Sequence, residues 1–574
     1  MRKKSRTAIQ LAMAAALGLA PVCSSAVLAE EPFEDVQTES LGAAMKKLAG
    51  QPNENHLSSY YSNWAKPAGS YLFADGDGFC RVDRRYIAGD TIEIERYNGS
   101  GELMSTKSVS LPFGGQTILG TVARTGTGYY VVTGQSNQEE NDSKLVVCIE
   151  KYDFNWNKIL SQSISDLNTT EPFDFGDCAV DEAGGYVRIL TCHRMYKSSD
   201  GLNHQASMAF LLDAGTLEVV DKMCLVESQS LYVAHSFSQR LRSNGQYSYA
   251  VQLGDAYPRA IVLTRTPVNS LSGEREQILS IKGSIGDNKT GVSLTGFELS
   301  DGYCLSAGTS IDQSEANTDL STRNVFVIST DQNTMKNSQL KWVTSYTAAD
   351  NVQVYGVKLV KMSGNSFKLL WNEARGSSVQ SKVADLDGSG NMTSAITTFS
   401  NGRVELTECE PVVLNGVVSW IDSTFSDARL AYLAEGVEMT VPMHRLYNPN
   451  SGEHFYTADD DERNGLVQLG WKYEGTGWNA PETSSTPVYR LYNANAGDHH
   501  YTMSEEEKNA LVSVGWKYEG IGWYSDDAKE VPLYRQYNPN AKAGSHNYTV
   551  DKTENDALVA LGWKAEGIGW YGLK

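Results

Sequence analysis

The sequence is poor in basic residues and contains no run of them after its N-terminal segment. Its 574 residues include 49 lysines and arginines against 69 aspartates and glutamates, which gives a formal net charge of −20 at pH 7. A charge of this sign and size repels nucleic acid and anionic lipid surfaces. The sequence therefore predicts no nucleic-acid partner. Its length predicts two or more domains.

Long apolar runs are missing after the N-terminus, so no membrane span is predicted. The N-terminus itself has a basic start, an apolar stretch over residues 8–20 and small residues before Ala29. This order is typical of an export signal. We therefore expect a signal peptide over 1–29 that is cleaved near Ala29. We expect a secreted, extracellular protein, either free or associated with the cell wall.

Motifs of catalysis and metal binding are missing as well. The sequence has no GxSxG or HExxH motif, no phosphate-binding loop and no CxxC pair. Seven scattered cysteines after the export signal do not form a disulfide framework, and we expect most of them to be buried. The sequence therefore predicts no catalytic residue, no metal site and no cofactor.

A short glycine motif recurs seven times between residues 60 and 436. In each copy a strand pattern precedes the glycine turn, a second strand follows it, and a third, apolar strand leads through a polar turn to a fourth. The pattern predicts a mainly all-β protein with a seven-bladed β-propeller over 60–436, with six or eight blades as alternatives. The motif is centred on Gly78, Gly128, Gly185, Gly245, Gly302, Gly364 and Gly416.

The seventh unit of this series lacks one strand after residue 436. A closed ring would need a strand from the segment before residue 70 or from residues 437–441. The stretch from Asp35 to Leu48 has a helical pattern, so residues 30–59 are predicted to form a helical or extended N-terminal segment that lies across the ring.

After residue 441 the composition changes, and a unit of about 45 residues occurs three times, over 441–481, 487–526 and 531–574. Each unit predicts a hairpin, a short helix with an acidic first turn that ends at a glycine, and a further short strand pair. Ser504 and Glu507 have the spacing of a capping box. Because one unit cannot bury its apolar face alone, we predict a trefoil-like module with pseudo-threefold symmetry.

The phrase HRLYNPNSGEHFYT…ERNGLVQLGWKYEGTGW and its two copies resemble the repeat family known as domain of unknown function 5648. The resemblance covers 441–574 and implies a cell-envelope or glycan-binding module, since such repeats accompany secreted bacterial proteins and cell-wall hydrolases. It implies no established ligand. The third copy departs from the pattern at Gln536 and Ala565 and has a longer turn. The propeller part resembles no specific family.

Side chains that recur in all three units are the candidate ligand-binding residues. Most recurring aromatics of such a small unit are expected to be core residues, but we expect the tryptophan near the end of each unit to be exposed. An exposed tryptophan could stack on a sugar ring while arginine and histidine bind hydroxyl groups. The candidates are Arg445, His454, Tyr456, Trp478, Arg490, His499, Tyr501, Trp523, Arg535, His546, Tyr548 and Trp570.

These features predict a secreted, non-catalytic surface protein. The propeller would be an interaction platform with a protein partner on its rim, and the three units would bind a cell-wall or host glycan through several weak sites. One alternative is a glycan-processing enzyme with its active site in the propeller channel, which clustered carboxylates beside a basic or aromatic residue there would favour. Another alternative is a protein–protein adhesin, which an exposed apolar patch on the rim would favour.

Overall fold

The computed structural model describes residues 41–52, 67–85, 90–225, 233–313, 322–376, 378–400, 404–424, 427–435, 440–481, 484–541 and 543–573. The described chain is mainly β, as predicted. The predicted export signal and residues 30–40 and 53–59 of the predicted N-terminal segment lie outside these ranges. Within the ranges no helix is long and apolar enough to cross a membrane.

Residues 41–435 contain seven antiparallel sheets in the described part of the chain. The first strand, β1, is Leu41–Lys47. Sheet 1 contains β2 (Ser70–Asp75), β3 (Gly78–Arg85), β4 (Thr91–Tyr97) and β5 (Leu103–Ser110), and sheet 2 contains β6 (Ile118–Arg124), β7 (Tyr129–Gly134), β8 (Val147–Tyr152) and β9 (Lys158–Ile164). Sheet 3 contains β10 (Thr169–Pro172), β11 (Ala179–Ala183), β12 (Tyr186–Lys197), β13 (Asn203–Asp213) and β14 (Val219–Met223).

The remaining four sheets follow the same order. Sheet 4 contains β15 (His235–Ser243), β16 (Tyr247–Ala256), β17 (Arg259–Pro267) and β18 (Glu274–Ser280), and sheet 5 contains β19 (Val292–Leu299), β20 (Tyr303–Ser310), β21 (Asn324–Asp331) and β22 (Gln339–Trp342). A 3₁₀ turn over Ala348–Asp350 precedes sheet 6, which contains β23 (Gln353–Lys361), β24 (Ser366–Arg375), β25 (Ser378–Asp387) and β26 (Thr397–Ser400). Sheet 7 contains β27 (Val412–Leu414), β28 (Val417–Ile421), β29 (Arg429–Glu435) and the N-terminal β1.

Setting aside the short β10, the first strands of the seven sheets are β2, β6, β11, β15, β19, β23 and β27, and those of sheets 2 to 7 contact one another in order. β6 contacts β11, β11 contacts β15, and the contacts continue through β19 and β23 to β27. β27 in turn contacts β2, so the last sheet returns to the first. Apolar clusters fill the spaces between neighbouring sheets, for example between sheets 4 and 5 and between sheets 5 and 6. The first strands therefore surround a common space.

The N-terminal strand corrects the predicted helix. Residues 41–47 form β1, which pairs with β29 from Leu41 opposite Glu435 to Lys47 opposite Arg429. Leu41, Ala43 and Met45 pack against the apolar cluster of sheets 6 and 7. Pairing with the edge of β29, together with the packing of every second residue of β1, outweighs the helical propensity of residues 41–47. Of the two segments considered as the source of the missing strand, the one before residue 70 supplies it, as β1.

A glycine of the recurring motif shows why that residue type is needed. Gly128 lies in the turn between β6 and β7 with a φ of 148°, and a Cβ atom there would lie 2.1 Å from the carbonyl oxygen of Tyr152. Most cysteines are buried, as predicted: Cys80, Cys148, Cys192 and Cys304 are buried in strands, and Cys409 is buried in the segment before β27.

The three C-terminal units each fold into a three-stranded sheet and one helix. The first unit contains β30 (Thr440–Tyr447), β31 (His454–Thr457), α1 (Asp460–Gln468) and β32 (Lys472–Pro481). The second contains β33 (Thr486–Asn493), β34 (Asp498–Thr502), α2 (Glu505–Ser513) and β35 (Lys517–Ser525), and the third contains β36 (Val531–Tyr537), β37 (His546–Thr549), α3 (Lys552–Ala560) and β38 (Lys564–Gly572). In each sheet the first strand of the unit is the central one.

The predicted hairpin and helix of each unit are present, but the predicted second strand pair is not. The helices are followed by Gly470, Gly515 and Gly562, whose φ values of 92°, 100° and 99° are those of left-handed caps. Residues 472–481 then form one strand, β32, which pairs with β30 along its whole length. Its register shifts between Met443 and His444 and again between Arg445 and Leu446. The glycines of this segment therefore belong to bulges rather than to a hairpin turn.

Candidate functional site

Three tyrosines join the C-terminal units at their centre. The Tyr456 hydroxyl donates to the carbonyl oxygen of Tyr548 at 2.9 Å and accepts from the Tyr548 amide at 3.1 Å. The Tyr548 hydroxyl makes the same pair of contacts with the main chain of Tyr501, and the Tyr501 hydroxyl with that of Tyr456. The ring centroids lie 5.7 to 5.9 Å apart. These three candidate residues are therefore buried parts of the core.

The three tryptophans near the unit ends are also buried, so the expectation that they are exposed is wrong. Trp478, Trp523 and Trp570 are 6, 4 and 0% exposed. Their ring centroids lie 5.1 to 5.5 Å from one another, and they pack on the tyrosines in one cluster. Burial of large aromatic surfaces is what a unit of this size needs for stability. Stacking of these rings on a sugar would require the core to open.

The arginines lie between neighbouring units. Arg490 of the second unit contacts Glu462 of α1 at 2.9 Å and Glu519 of its own unit at 3.3 Å. Arg535 of the third unit repeats this arrangement, with its guanidinium at 2.9 Å from Glu507 and 2.8 Å from Glu566.

Arg445 of the first unit completes the series. Its guanidinium donates two hydrogen bonds to Glu554 of the third unit, at 2.6 and 2.9 Å, and lies 2.9 Å from Glu474. Each arginine therefore bridges the helix of one unit and the last strand of the next. The Arg445–Glu554 and Arg535–Glu507 pairs are bidentate and therefore directional, so they align the units as well as joining them, whereas Arg490 binds Glu462 through one nitrogen.

The histidines line the same junctions. His499 Nδ1 donates a hydrogen bond of 2.6 Å to the carboxylate of Glu453 in the preceding unit. The centroid of its ring lies 4.7 Å from that of Tyr492. Burial, reinforced by Arg445, lowers the pKa of His454 to about 4. Burial, with His500 and Arg535 nearby, lowers the pKa of His546 to about 3. These two histidines are therefore neutral at neutral pH.

Two glutamates of each unit were missed by the sequence analysis. Glu507 was assigned to a capping box, but only Ser504 acts as predicted, accepting from the Glu507 amide at 3.1 Å. The Glu507 carboxylate binds Arg535 instead. The other glutamate is the extra residue of a bulge, as Glu474 is between Tyr473 and Gly475. Their recurrence at fixed places in all three units was the available signal, and they are Glu462, Glu474, Glu507, Glu519, Glu554 and Glu566.

A cavity of about 270 Å³ lies between the first and second units. Trp471, Phe455 and Tyr492 supply aromatic walls, and Arg490 and Glu519 supply polar groups. Glu462, Leu466 and His499 complete the lining. At the other two junctions His500 and Asn547 stand where this one has Phe455. The structure thus brings Arg490 and His499 to one cavity and keeps Trp478 out of its lining.

A second cavity, of about 850 Å³, lies among the first strands of the seven sheets. We call it the channel. Its lining draws on every sheet and includes charged side chains of both signs and two tyrosines. They are Tyr71, Asp177, Arg240, Arg242, Glu298, Tyr355, Lys358, Lys361, Glu405, Glu408 and Glu410. These residues were missed because the chain brings them together only through the ring of sheets.

Ion pairs connect different sheets across the channel lining. Arg240 pairs with Asp177 of sheet 3, and Arg242 contacts Glu298 of sheet 5 at 2.6 Å. Lys358 of sheet 6 contacts Glu410, just before β27, at 3.0 Å.

Glu408 differs from the other carboxylates of the channel. It accepts a hydrogen bond from the Gly69 amide at 3.2 Å. Burial raises the pKa of Glu408 to about 7, against smaller opposing effects of the Gly69 amide and Lys358. The carboxyl group therefore changes between its protonated and ionised forms near neutral pH.

Comparisons with known proteins give low similarity for the ring of sheets. The β-propeller domain of the Trilobed protease from Pyrococcus furiosus is 10% identical with a TM-score of 0.36, over 64% of this chain and 97% of that one. The periplasmic gluconolactonase PpgL of Pseudomonas aeruginosa is 14% identical with a TM-score of 0.37, over 67% and 93%. No curated protein matches the chain.

The triplicated region does match a known family model. The match spans residues 442–573, which contain all three units with their tyrosine core and arginine junctions. The rest of the chain is assigned to no family. Residues 442–573 are therefore identified as a copy of the module described as Domain of unknown function (DUF5648).

Proposed function

We propose that the protein is an exported, non-catalytic surface protein whose C-terminal module binds a cell-wall or host glycan. In this proposal the seven sheets are the blades of a propeller that acts as an interaction platform with a protein partner on its rim. The three units form a trefoil-like module with pseudo-threefold symmetry. The observation that carries the proposal is the cavity between the first and second units.

The lining of that cavity has the composition that a sugar site requires. Trp471 and Tyr492 are half-buried and offer ring surface, which suits the apolar faces of a pyranose. Arg490, His499 and Glu519 offer hydrogen-bond donors and acceptors for hydroxyl groups. The proposed stacking residue is therefore Trp471, while Trp478 supports the core.

The three junctions are related but not equivalent. All three have the arginine, the histidine and both glutamates, whereas the position of Phe455 is polar in the other two. Several weak sites on one module gain affinity for a polymer because the second contact is intramolecular. We propose that the first junction is the principal site and that the other two add to retention.

Retention of the full chain on insoluble glycans tests the proposal. The panel contains peptidoglycan and bacterial and host polysaccharides. We expect Trp471→Ala to reduce retention on at least one glycan by about tenfold, equivalent to about 1.4 kcal/mol. Tyr473→Ala is the matched control, since this side chain is 44% exposed in the same unit and does not line the cavity. Equal retention of both variants, or no retention of the unchanged chain, would contradict the proposal.

A second candidate, a glycan-processing enzyme, is favoured by one observation. Carboxylates and tyrosines cluster in the channel. The Tyr355 hydroxyl donates to Glu405 at 3.3 Å, and Glu408 follows three residues later in the sequence. A carboxyl group that titrates near neutral pH suits a general acid. The test is release of reducing ends from the same panel of glycans. Release that is lost in Glu408→Gln would support this candidate if Glu405→Gln keeps its activity, and so would release that is reduced in both variants. No release by the unchanged chain would exclude it for these glycans.

A further inference from the structure

Glu410 is an exposed carboxylate of the channel that contacts the buried ammonium of Lys358. Its side chain is 59% exposed, whereas that of Lys358 is 3% exposed. The Lys358 ammonium donates to Glu410 Oε1 at 3.0 Å and to the Glu408 carbonyl oxygen at 3.3 Å. A buried ammonium needs an anionic partner because its desolvation is costly.

A second cation approaches the same oxygen from another sheet. Arg240 Nη2 lies 3.9 Å from Glu410 Oε1, although Glu410 belongs to the segment before β27 and Arg240 to β15. Enclosure by the channel walls would by itself raise the pKa of Glu410, but Lys358, Arg240 and Arg242 outweigh it and hold the pKa below its usual value. One carboxylate therefore receives cationic groups from sheets 4 and 6.

We propose that the channel binds a small organic carboxylate, which takes the place of the Glu410 carboxylate between Lys358 and Arg240. Glu410 acts as an internal stand-in for the ligand. Because its side chain is exposed, its carboxylate can rotate away from Lys358 and Arg240 without breaking apolar packing. Lys358 cannot turn away in the same manner, since it is held among the strands and bound to the Glu408 carbonyl.

The remaining lining narrows the class of ligand to hydroxylated acids. Tyr71 and Tyr355 bring hydroxyl groups, and Glu405 and Glu408 bring acceptors, to the cavity of about 850 Å³. A ligand with several hydroxyl groups would form further hydrogen bonds with these side chains, whereas a purely apolar acid would not. A sugar acid of the uronate class has both the carboxylate and the hydroxyl groups.

Competition with an internal carboxylate predicts a distinctive response to substitution. In the unchanged chain a ligand must displace Glu410, so its apparent affinity is reduced by the fraction of time that Glu410 occupies the cations. Removal of this side chain should therefore increase affinity, which is the opposite of the usual result for a residue that touches a ligand.

Titration calorimetry of the full chain with D-glucuronate tests the proposal, with D-glucose as the neutral probe. We expect Glu410→Ala to bind glucuronate about tenfold more tightly than the unchanged chain, equivalent to about 1.4 kcal/mol. Neither protein should bind glucose at the same concentrations. Adding Lys358→Met to Glu410→Ala should remove glucuronate binding. Circular dichroism confirms that each variant is folded.

A second variant covers the case in which Glu410→Ala does not fold. Glu410→Gln keeps the size of the side chain and a hydrogen-bond acceptor for Lys358, and it should still bind glucuronate more tightly than the unchanged chain. The proposal is overturned if the folded variant binds no glucuronate, or if it binds with the affinity of the unchanged chain. These outcomes are independent of glycan retention by the C-terminal module, because Trp471 lies outside the channel lining.

Discussion

At the scale of the residue, the same side-chain type has different roles according to its neighbours. Tyr456, Tyr501 and Tyr548 recur with the histidines and were candidates for one site on that basis. The structure separates them, because the tyrosines bond to main-chain groups of the next unit while the histidines line the junctions. Recurrence in a sequence identifies such residues but does not distinguish a core residue from a ligand-binding one.

The tyrosine hydroxyls give a direct prediction for stability. Tyr501→Phe removes the hydroxyl that contacts the amide and carbonyl groups of buried Tyr456, leaving them without this partner. We expect a loss of about 1–3 kcal/mol, seen as a lower unfolding temperature of the C-terminal module. Tyr518→Phe is the matched control, since Tyr518 is 41% exposed. Equal effects of the two variants would contradict the assigned role.

The junctions predict that the module loses stability in acid. Burial alone would raise the pKa of Glu554, but hydrogen bonds from Arg445 and Thr549 lower it from 4.5 to about 2. The folded state therefore binds fewer protons than the unfolded state between these values, and the stability that Glu554 contributes is lost as the pH falls from 4.5 toward 2. The pKa of His454 is lowered from 6.5 to about 4 in the folded state, so the stability that His454 contributes is also lost as the pH falls, between these two values.

Thermal unfolding of the full chain between pH 7 and pH 3 measures this effect. We expect the transition of the C-terminal module to move to lower temperature as the pH falls below 6.5. Glu554→Gln should lower the transition at pH 7 and flatten its dependence below pH 4.5, whereas Glu505→Gln, on an exposed side chain of α2, should leave both unchanged. A pH-independent transition in the unchanged chain would be inconsistent with the ion pairs described.

At the scale of the element, the sequence predicted those features of the C-terminal units that depend on residues close together in the chain. The hairpin turns, the acidic helix starts and the glycine ends of the helices are all present. The segment KYEGTGW was predicted as two short strands because a glycine with positive φ fits a turn as well as a bulge. Pairing of β32 with the whole of β30 decides between them, and this is a non-local interaction.

Two glycines of the first unit give opposite predictions for the same substitution. Gly475 has a φ of 100° in the bulge that presents Glu474 to Arg445, so Gly475→Ala should destabilise the module by about 1–2 kcal/mol. Gly465 lies within α1 with no side chain or backbone near its Cβ position, and the other two units have alanine there. Gly465→Ala should stabilise the module by about 0.5–1 kcal/mol. Thermal unfolding of both variants measures the difference, and shifts of the same sign would refute the bulge assignment.

At the scale of the whole molecule, the regular repeats were predictable and the charged site was not. The seven sheets, of four strands each except the five-stranded sheet 3, agree with the spacing of glycine turns and apolar strands. The channel groups lie on different units, from Asp177 to Glu410, and no local pattern marks them. The pairing of β1 with β29 joins residues far apart in the chain and overrides a local helical pattern.

The closing strand gives a prediction at this scale. Met45→Asp places a charge against the apolar cluster of sheets 6 and 7 and should cost about 2 kcal/mol or more. Ala44→Asp, on the neighbouring residue outside that cluster, is the matched control and should cost less. Protease digestion at increasing urea concentration measures the opening of the ring. Similar sensitivity of the two variants would show that β1 does not seal the cluster.

The pairing of β1 with β29 also sets an order of events. The ribosome makes β1 among the first described residues, yet its partner strand ends at Glu435, so about 380 residues must follow before the pair can form. Throughout that interval β1 has no strand to pair with, although β26, which it also contacts, is made earlier. Completion of the ring is therefore a late step, and a chain interrupted before residue 429 would carry an unpaired first strand.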